Sequence, residues 1–391
     1  MNETVKMGRL VGNIYDAAVD STRWPAFMEN LASSLNAGFG LLWLQDFSNT
    51  GSASDPGDCD IAAASGLDPA SIAQYRDYYA GLNVWLPNAS RLAEGAITVS
   101  SALYPDRLLP STEFYNDFLR RHSLFFAVGS SILKRGTQDF KMSFVRSHRA
   151  GHYDDAELAR VQQLMPHLRN AVVLHRELSR LKVLAGSALA ALEWIPMGVV
   201  LLTGSGVLMH ANRRAHDLIA GTGALHLGPG GTLHAASVAA TTTLQRLIRE
   251  AVQTTTGKGC AHGGAVRLVG AGGRKLQLRV TPLPADCPVP AAGAMAAIFC
   301  SDPDAIVGSL SQRLEAMYHM TPAEALLAEA LVNGQSLKQY AEARRTTMST
   351  VRTQLKAAAA KTGAKRQADL VRIVLTGPAI FNQDAGVLKS R

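Results

Sequence analysis

Hydrophobic residues recur at steps of three and four over the first 35 positions, at Leu10, Ile14, Ala17 and Ala18 and again at Trp24, Phe27, Leu31 and Leu35. That spacing predicts two amphipathic helices. The compact apolar run "FGLLWLQDF" follows and predicts a buried strand, and the polar stretch from Ser48 to Asp60, with its Gly and Ser, predicts a loop. "PASIAQYRDYYAGL" has helical spacing, while "FFAVGSSIL" and "FKMSFVRS" predict paired strands about the turn-forming "KRGTQD". A further helix is expected from Asp154 or Asp155, carrying Leu158, Val161, Met165, Leu168 and Val172 on one face. Pro166 removes a backbone donor inside this run, so a kink or a boundary between two helices is expected near it. The continuation "RNAVVLHRELSRLKVLAGSALAAL" is long and amphipathic enough to connect domains or to pair with a second copy.

From about Ala185 to Ala305 the period shortens. "MGVVLLTGSGVLMHAN" predicts a hairpin closed by Gly-Ser-Gly, then "RRAHDLIA" a short helix. In "AVRLVGAGGRKLQLRVTPL" Leu276, Leu278 and Val280 alternate with Lys275, Gln277 and Arg279, the pattern of a strand buried on one face. With the helix "TTTLQRLIREAV" and a last strand in "GAMAAIFCSD", this segment predicts a small antiparallel sheet with helices on one side. After it come three short helices: Pro322 follows a capping Thr321, Ser336 caps a second after Gly334, and Gly363 ends a third.

Length and composition set limits on this picture. With 391 residues the chain is long enough for two to four domains, and 47% hydrophobic content with 18% charge is that of a core-forming protein. No apolar run approaches the roughly 20 residues of a membrane span, and the start "MNETVKMGRL" lacks a secretory pattern, so a cytoplasmic protein without membrane contact is expected. Cys59, Cys260, Cys287 and Cys300 are scattered without metal-ligand spacing, which argues for ordinary thiols and against both a disulfide framework and a metal site. The formal charge of +8 is concentrated: Lys338 to Arg372 holds nine basic and two acidic residues, hence +7. A basic excess confined to one segment points to a polyanion.

Enzymatic signatures fail one by one. "TGKGC" has Gly-Lys but neither the earlier Gly nor the Ser or Thr of a phosphate loop, and no nucleophile elbow, zinc-protease or dinucleotide fingerprint occurs. The pairs His148/His152 and His167/His175 have no acid at useful spacing and are expected to be surface or capping residues. No catalytic residue and no cofactor are expected. One aromatic group could form a pocket wall: Tyr75 and Tyr79 lie one turn apart on a helix, with Asn83 and Trp85 just beyond, although a plain aromatic core is the competing expectation.

Three resemblances follow from these residues. "LEWIPMGVVLLTGSGVLMHANRRAHDLI" resembles the opening of a PAS domain, in which the first hairpin ends in an Asn that starts a helix, here Asn212. "QYRDYYAGLNVWLP" resembles the autoinducer-binding, GAF-like domains of quorum-sensing regulators, with Asn83-Val84 at their Asp-Pro positions; an uncharged Asn weakens a hydrogen bond to a ligand amide. The segment from Met320 to Leu375 aligns without a gap to the helix-turn-helix of LuxR-type regulators through Thr321-Pro322, Glu324, Gly334, Ser336, Lys338, Ala341, Thr350-Val351-Arg352-Thr353, Leu355, Lys361, Gly363, Ala368, Leu370 and Val371. It departs from that family at Arg344-Arg345, where Leu-Gly is usual, at Thr346, and at Ala357 to Ala360, where larger core residues are usual. Marginal stability of the isolated domain is therefore expected.

Together these readings give a multidomain α+β chain. An α/β sandwich-like sensor domain spans 1–180 and ends in a long connector helix, a PAS-like antiparallel sheet domain spans 185–305, and a linker helix with an all-α four-helix helix-turn-helix spans 306–391. The LuxR-type resemblance implies a dimeric transcriptional regulator controlled by a small ligand or a partner protein, with RNA polymerase as a further candidate partner. It implies that Ser349, Thr350, Arg352, Thr353 and Lys356 face the major groove of double-stranded DNA while Lys338 and Lys361 meet phosphates. The alternative is a ligand-sensing or protein-interaction module whose decayed helix-turn-helix acts through heterodimers.

Overall fold

The computed structural model describes residues 3–48, 58–270, 272–284, 294–305 and 309–381. Most of the loop expected between Ser48 and Asp60, together with Cys287, lies outside the described residues. The chain divides into two compact units, Met1–Leu184 and Ala185–Arg391, and combines antiparallel sheets with many helices, an α+β architecture.

The first unit opens with helices Glu3–Val19 and Trp24–Ser34, whose apolar faces bury Leu10, Ile14, Trp24, Phe27 and Leu31 as their spacing requires. Its five-stranded sheet has the order Asp58–Ser65, Phe39–Asp46, Gln138–Arg146, Phe126–Arg135, Ile97–Val99, every neighbouring pair antiparallel. The third and fourth of these form the expected hairpin, turning at Gly136 and Thr137, where Gly136 takes the left-handed φ that the tight turn needs. The strand Gln138–Arg146 is buried along nearly its whole length, so side chains on both its faces are covered. The stretch expected as one helix after Pro69 is built from an α-helical turn Pro69–Gln74, a π-helical turn Tyr75–Tyr79 and a short α-turn Ala80–Leu82.

The closing helix runs without interruption from Asp155 to Glu193, so the boundary considered at Pro166 does not occur. One lost donor is outweighed because Leu164, Met165 and Leu168 on either side are fully packed. Asp154 and Glu157 cap its start reciprocally, each accepting from the other's backbone N–H at 2.7 and 2.9 Å. Arg146, buried on the last sheet strand, holds that start in place. Its guanidinium pairs with Glu157 at 2.7 Å, donates to the carbonyls of Gly151, Leu35 and His152, and stacks 3.9 Å above the Tyr153 ring.

The second unit carries a sheet of the order Gly264–Val269, Lys275–Pro282, Ala294–Ser301, Gly198–Thr203, Leu208–Ala211, again antiparallel throughout. Numbered by their place in the chain, the strands of both sheets run in one order: second, first, fifth, fourth, third. Leu276, Leu278 and Val280 face the core as their alternation requires, with helices Arg213–Thr222 and Val238–Thr255 contributing Leu218, Leu244 and Ile248. Asn212 is wholly buried and caps the first of these helices. Its Oδ1 accepts from Val199 and Ala215 N–H, both at 2.9 Å, and its Nδ2 donates to the carbonyls of Leu192 at 2.9 Å and Met197 at 3.0 Å.

A separate apolar cluster holds the C-terminal helices Leu310–Tyr318, Pro322–Val332, Leu337–Ala343, Met348–Thr362 and Gln367–Thr376. Its buried members include Leu310, Leu314, Met320, Leu327, Tyr340, Val351, Ala358, Leu370 and Val374.

Among the described residues no helix is long and apolar enough to cross a membrane, and no group of three His, Cys, Asp or Glu could hold a metal ion. The thiols of Cys59 and Cys300 are raised, to about 12 and about 11, chiefly by burial.

Candidate functional site

The C-terminal helices are set by their caps. Thr321 with Glu324, and Ser336 with Gln339, form capping boxes, and Thr347 accepts from the Thr350 N–H to start the helix Met348–Thr362, which Gly363 ends in the left-handed region. On that 15-residue helix Val351 and Ala358 are buried and Leu355 is half-buried, while Ser349, Thr350, Arg352, Thr353 and Lys356 are exposed. Arg352 and Lys356 have no ion-pair partner among the described residues, so both cations are available to an outside anion. The Thr353 hydroxyl donates to the Ser349 carbonyl at 3.1 Å, leaving its methyl outermost as an apolar contact group.

Lys338 and Lys361, grouped together by the sequence, are placed differently. The Lys338 side chain is 82% exposed and only 4.0 Å from Glu342, a contact worth little in water. Lys361 is engaged within the protein: its ammonium donates to Glu324 at 2.6 Å and to the His319 carbonyl at 2.8 Å. Burial pushes the Glu324 carboxyl up, but the Lys361 and Thr321 hydrogen bonds together hold it below the usual carboxylate range. Lys361 thus fastens the end of the helix Met348–Thr362 to the start of the first capped helix.

The departures from the helix-turn-helix pattern now have a physical reading. Of the four alanines Ala358 is fully buried, and the same C-terminal cluster includes Leu310, Leu314 and Met320 from the helix and turn preceding Thr321. At the Arg344-Arg345 turn the backbone keeps the usual shape with an unusual residue: Arg345 has φ +50°, and Thr346 N–H reaches back to the Ala341 carbonyl at 3.0 Å. A β-carbon in the left-handed region costs about 1–2 kcal/mol. Arg345→Gly should accordingly stabilise the protein by about 1 kcal/mol in chemical denaturation. A destabilised variant would overturn this reading.

In the first unit the four predicted pocket residues part company. Tyr75 and Tyr79 are turned to an aromatic cluster, Tyr75 against Phe39, Phe114 and Phe118 and Tyr79 against Phe118. The competing expectation of an aromatic core describes these two. Both rings meet Phe118, so the π-helical turn Tyr75–Tyr79 keeps the two on one face, turned to the aromatic core. Asn83 donates to the Tyr75 hydroxyl at 3.0 Å and accepts from the Trp85 N–H at 3.0 Å, and both Asn83 and Trp85 line a cavity of about 50 Å³.

The opposite wall of that cavity was not foreseen. It comes from the sheet, where Trp43, Lys141 and Ser131 are direct cross-strand neighbours. Lys141 and Asp139 are each only 3% exposed and form an ion pair at 3.0 Å. Ser131 donates to the other Asp139 oxygen in a short hydrogen bond, and Lys141 reaches Ser90 Oγ at 3.2 Å. Burial lowers the Lys141 pKa, with Asp139 opposing. In "QDFKMSFVR" the alternation of charged and apolar residues reads as a strand with one wet face, and only its central place in a covered sheet reveals a buried charge.

No family model matches the chain, and no curated protein matches it. Similar solved structures include the VqsR LBD domain from Pseudomonas aeruginosa, at 12% identity over 44% of this chain and 96% of that one, with a TM-score of 0.36. The E. coli DhaR(N)–DhaL complex is similar at 12% identity over 75% of this chain and 86% of that one, TM-score 0.34. The phage VqmA–DPO complex is similar at 16% identity over 51% and 91%, TM-score 0.23. All three TM-scores lie below 0.5, so the function of this chain rests on its own residues.

Proposed function

We propose that the chain is a DNA-binding transcriptional regulator, acting as a dimer and controlled through a cavity in its N-terminal unit. The observation that carries this reading is the capped helix Met348–Thr362, which presents exposed Ser349, Thr350, Arg352, Thr353 and Lys356 from a segment of net charge +7. A helix of this size fits the major groove, and an arginine there can bind guanine O6 and N7 together. One such helix reads half a site, which is why a dimer on two half-sites is part of the proposal. The PAS-like reading of residues 185–305 is supported by Asn212, which ends a hairpin and starts a helix. Small-ligand control is supported by the lined cavity about Asn83, Trp85 and Lys141.

The test is binding to promoter fragments over a range of salt. Arg352→Ala should cost about 1–3 kcal/mol at its preferred base and relax sequence choice, whereas Lys338→Ala should weaken all sequences alike and flatten the salt dependence. Lys361→Ala should act first on folding, since that ammonium is held by Glu324 and His319. A protein not retained on any DNA at low salt would defeat the proposal in favour of a heterodimerising module.

A further inference from the structure

The helix Asp155–Glu193 divides along its length. Its first half is packed, with Leu164, Leu168 and Val172 buried, and just beyond them His175 lies 3.3 Å from the Ala18 carbonyl and Arg176 donates to Gln138 at 2.7 Å. No residue of the helix after Val172 is buried. This second half nevertheless holds large apolar side chains in water: Leu174 is 48% exposed, Leu181 50%, and Val183 and Leu184 more so. Helices are held mostly by packing of an apolar face, and this stretch also carries Gly186, a weak helix former. A run of exposed leucines on such a helix marks an interaction surface.

The spacing and the charges say what covers it. Leu174, Leu178, Leu181, Ala185, Ala188 and Leu192 follow one another at alternating steps of four and three, the a and d positions of a heptad. With Leu178 and Ala185 at a, and Leu181 and Ala188 at d, position g falls on Glu177 and Leu184 and position e on Lys182 and Leu189. In a parallel pair of identical helices each g side chain meets the e side chain of the next heptad in the other copy. Glu177 then meets Lys182, and Leu184 meets Leu189: opposite charges in one case, two apolar groups in the other. An antiparallel pair sets e against e and g against g, which offers neither charge its opposite. Within the chain both charges are weakly engaged. Glu177 pairs with Arg180 at 3.1 Å where both are more than half exposed, and Lys182 reaches the uncharged Val19 carbonyl at 3.5 Å.

We propose that residues 174–192 form the seam of a parallel homodimer, a two-stranded coiled coil with leucines and then alanines along its core and a Glu177–Lys182 ion pair on each flank. This rests on the reading of the chain as a dimeric regulator and names the surface by which two copies meet.

The test is sedimentation equilibrium of the full-length protein, with promoter binding measured alongside. Leu181→Glu should weaken self-association roughly tenfold or more, and it should still fold because the side chain it replaces is already half in water. Glu177→Lys and Lys182→Glu should each weaken it by about tenfold, since each sets like charges on both flanks. Mixing those two variants should restore the dimer, because the opposite charges then meet between unlike chains. An effect confined to one chain gives no such recovery, so a mixture that stays dissociated would overturn the parallel pairing. A wild type that is monomeric at micromolar concentration defeats the seam and the dimeric reading together. A dimer that persists in all three variants defeats the seam alone. Variants that are monomeric yet bind promoter DNA as tightly as the wild type uphold the seam and defeat the reading of DNA by a dimer.

Discussion

Arg146→Ala should lower the stability of the N-terminal unit by about 3–5 kcal/mol, one of the two largest single-residue effects expected in this chain. The guanidinium is buried and serves four acceptors at once, the Glu157 carboxylate and the carbonyls of Gly151, Leu35 and His152. Truncation leaves Glu157 without its counter-charge and the carbonyls without a donor, and removes the stacking on Tyr153. Urea denaturation followed by the fluorescence of Trp24, Trp43 and Trp85 would measure it. A loss below 1 kcal/mol would mean that water replaces the guanidinium at little cost and that the strand is less closed than its burial implies.

The second large effect is expected at Asn212. An ordinary N-cap contributes about 1 kcal/mol and accepts Asp as readily as Asn. Asn212 does more, because its amide nitrogen is bound to the carbonyls of Leu192 and Met197 while its oxygen serves two N–H groups. Asn212→Ala strands four partners, the buried N–H groups of Val199 and Ala215 and the part-buried carbonyls of Leu192 and Met197, and should cost about 3 kcal/mol. Asn212→Asp should cost at least as much, since a carboxylate would face two carbonyl oxygens where the NH₂ now donates. Stability of the Asp variant equal to the wild type would show that Asn212 is a simple cap.

Local chemistry made the C-terminal helices legible. Thr321, Ser336, Gly334 and Gly363 punctuate them, and each stands at a cap or a left-handed position in the structure. The hairpin Phe126–Arg146 was likewise announced by its turn. Elements with weak local signals were missed: the alanine-rich strand Asp58–Ser65, the three-residue edge Ile97–Val99, and the small hairpin of Leu225–Leu227 with Leu233–Ala235. Each depends on neighbours distant in the chain. Of the four residues singled out near the cavity, Asn83 and Trp85 line it while Tyr75 and Tyr79 pack in the aromatic cluster beside it, a division set by side chains distant in the chain such as Phe114 and Phe118. Lys141 and Asp139 were invisible because nothing within a strand says whether its polar face meets water or another layer.

The narrowness of the cavity has a kinetic side. Trp85 and Leu86, which line it, are almost entirely withdrawn from solvent, so a molecule entering past them would have to displace both side chains. Association that waits on such a movement runs well below the rate of free encounter. On the proposed control through this cavity, a slow entry at a given affinity implies an equally slow exit, and its occupancy would outlast the pulse of ligand that filled it.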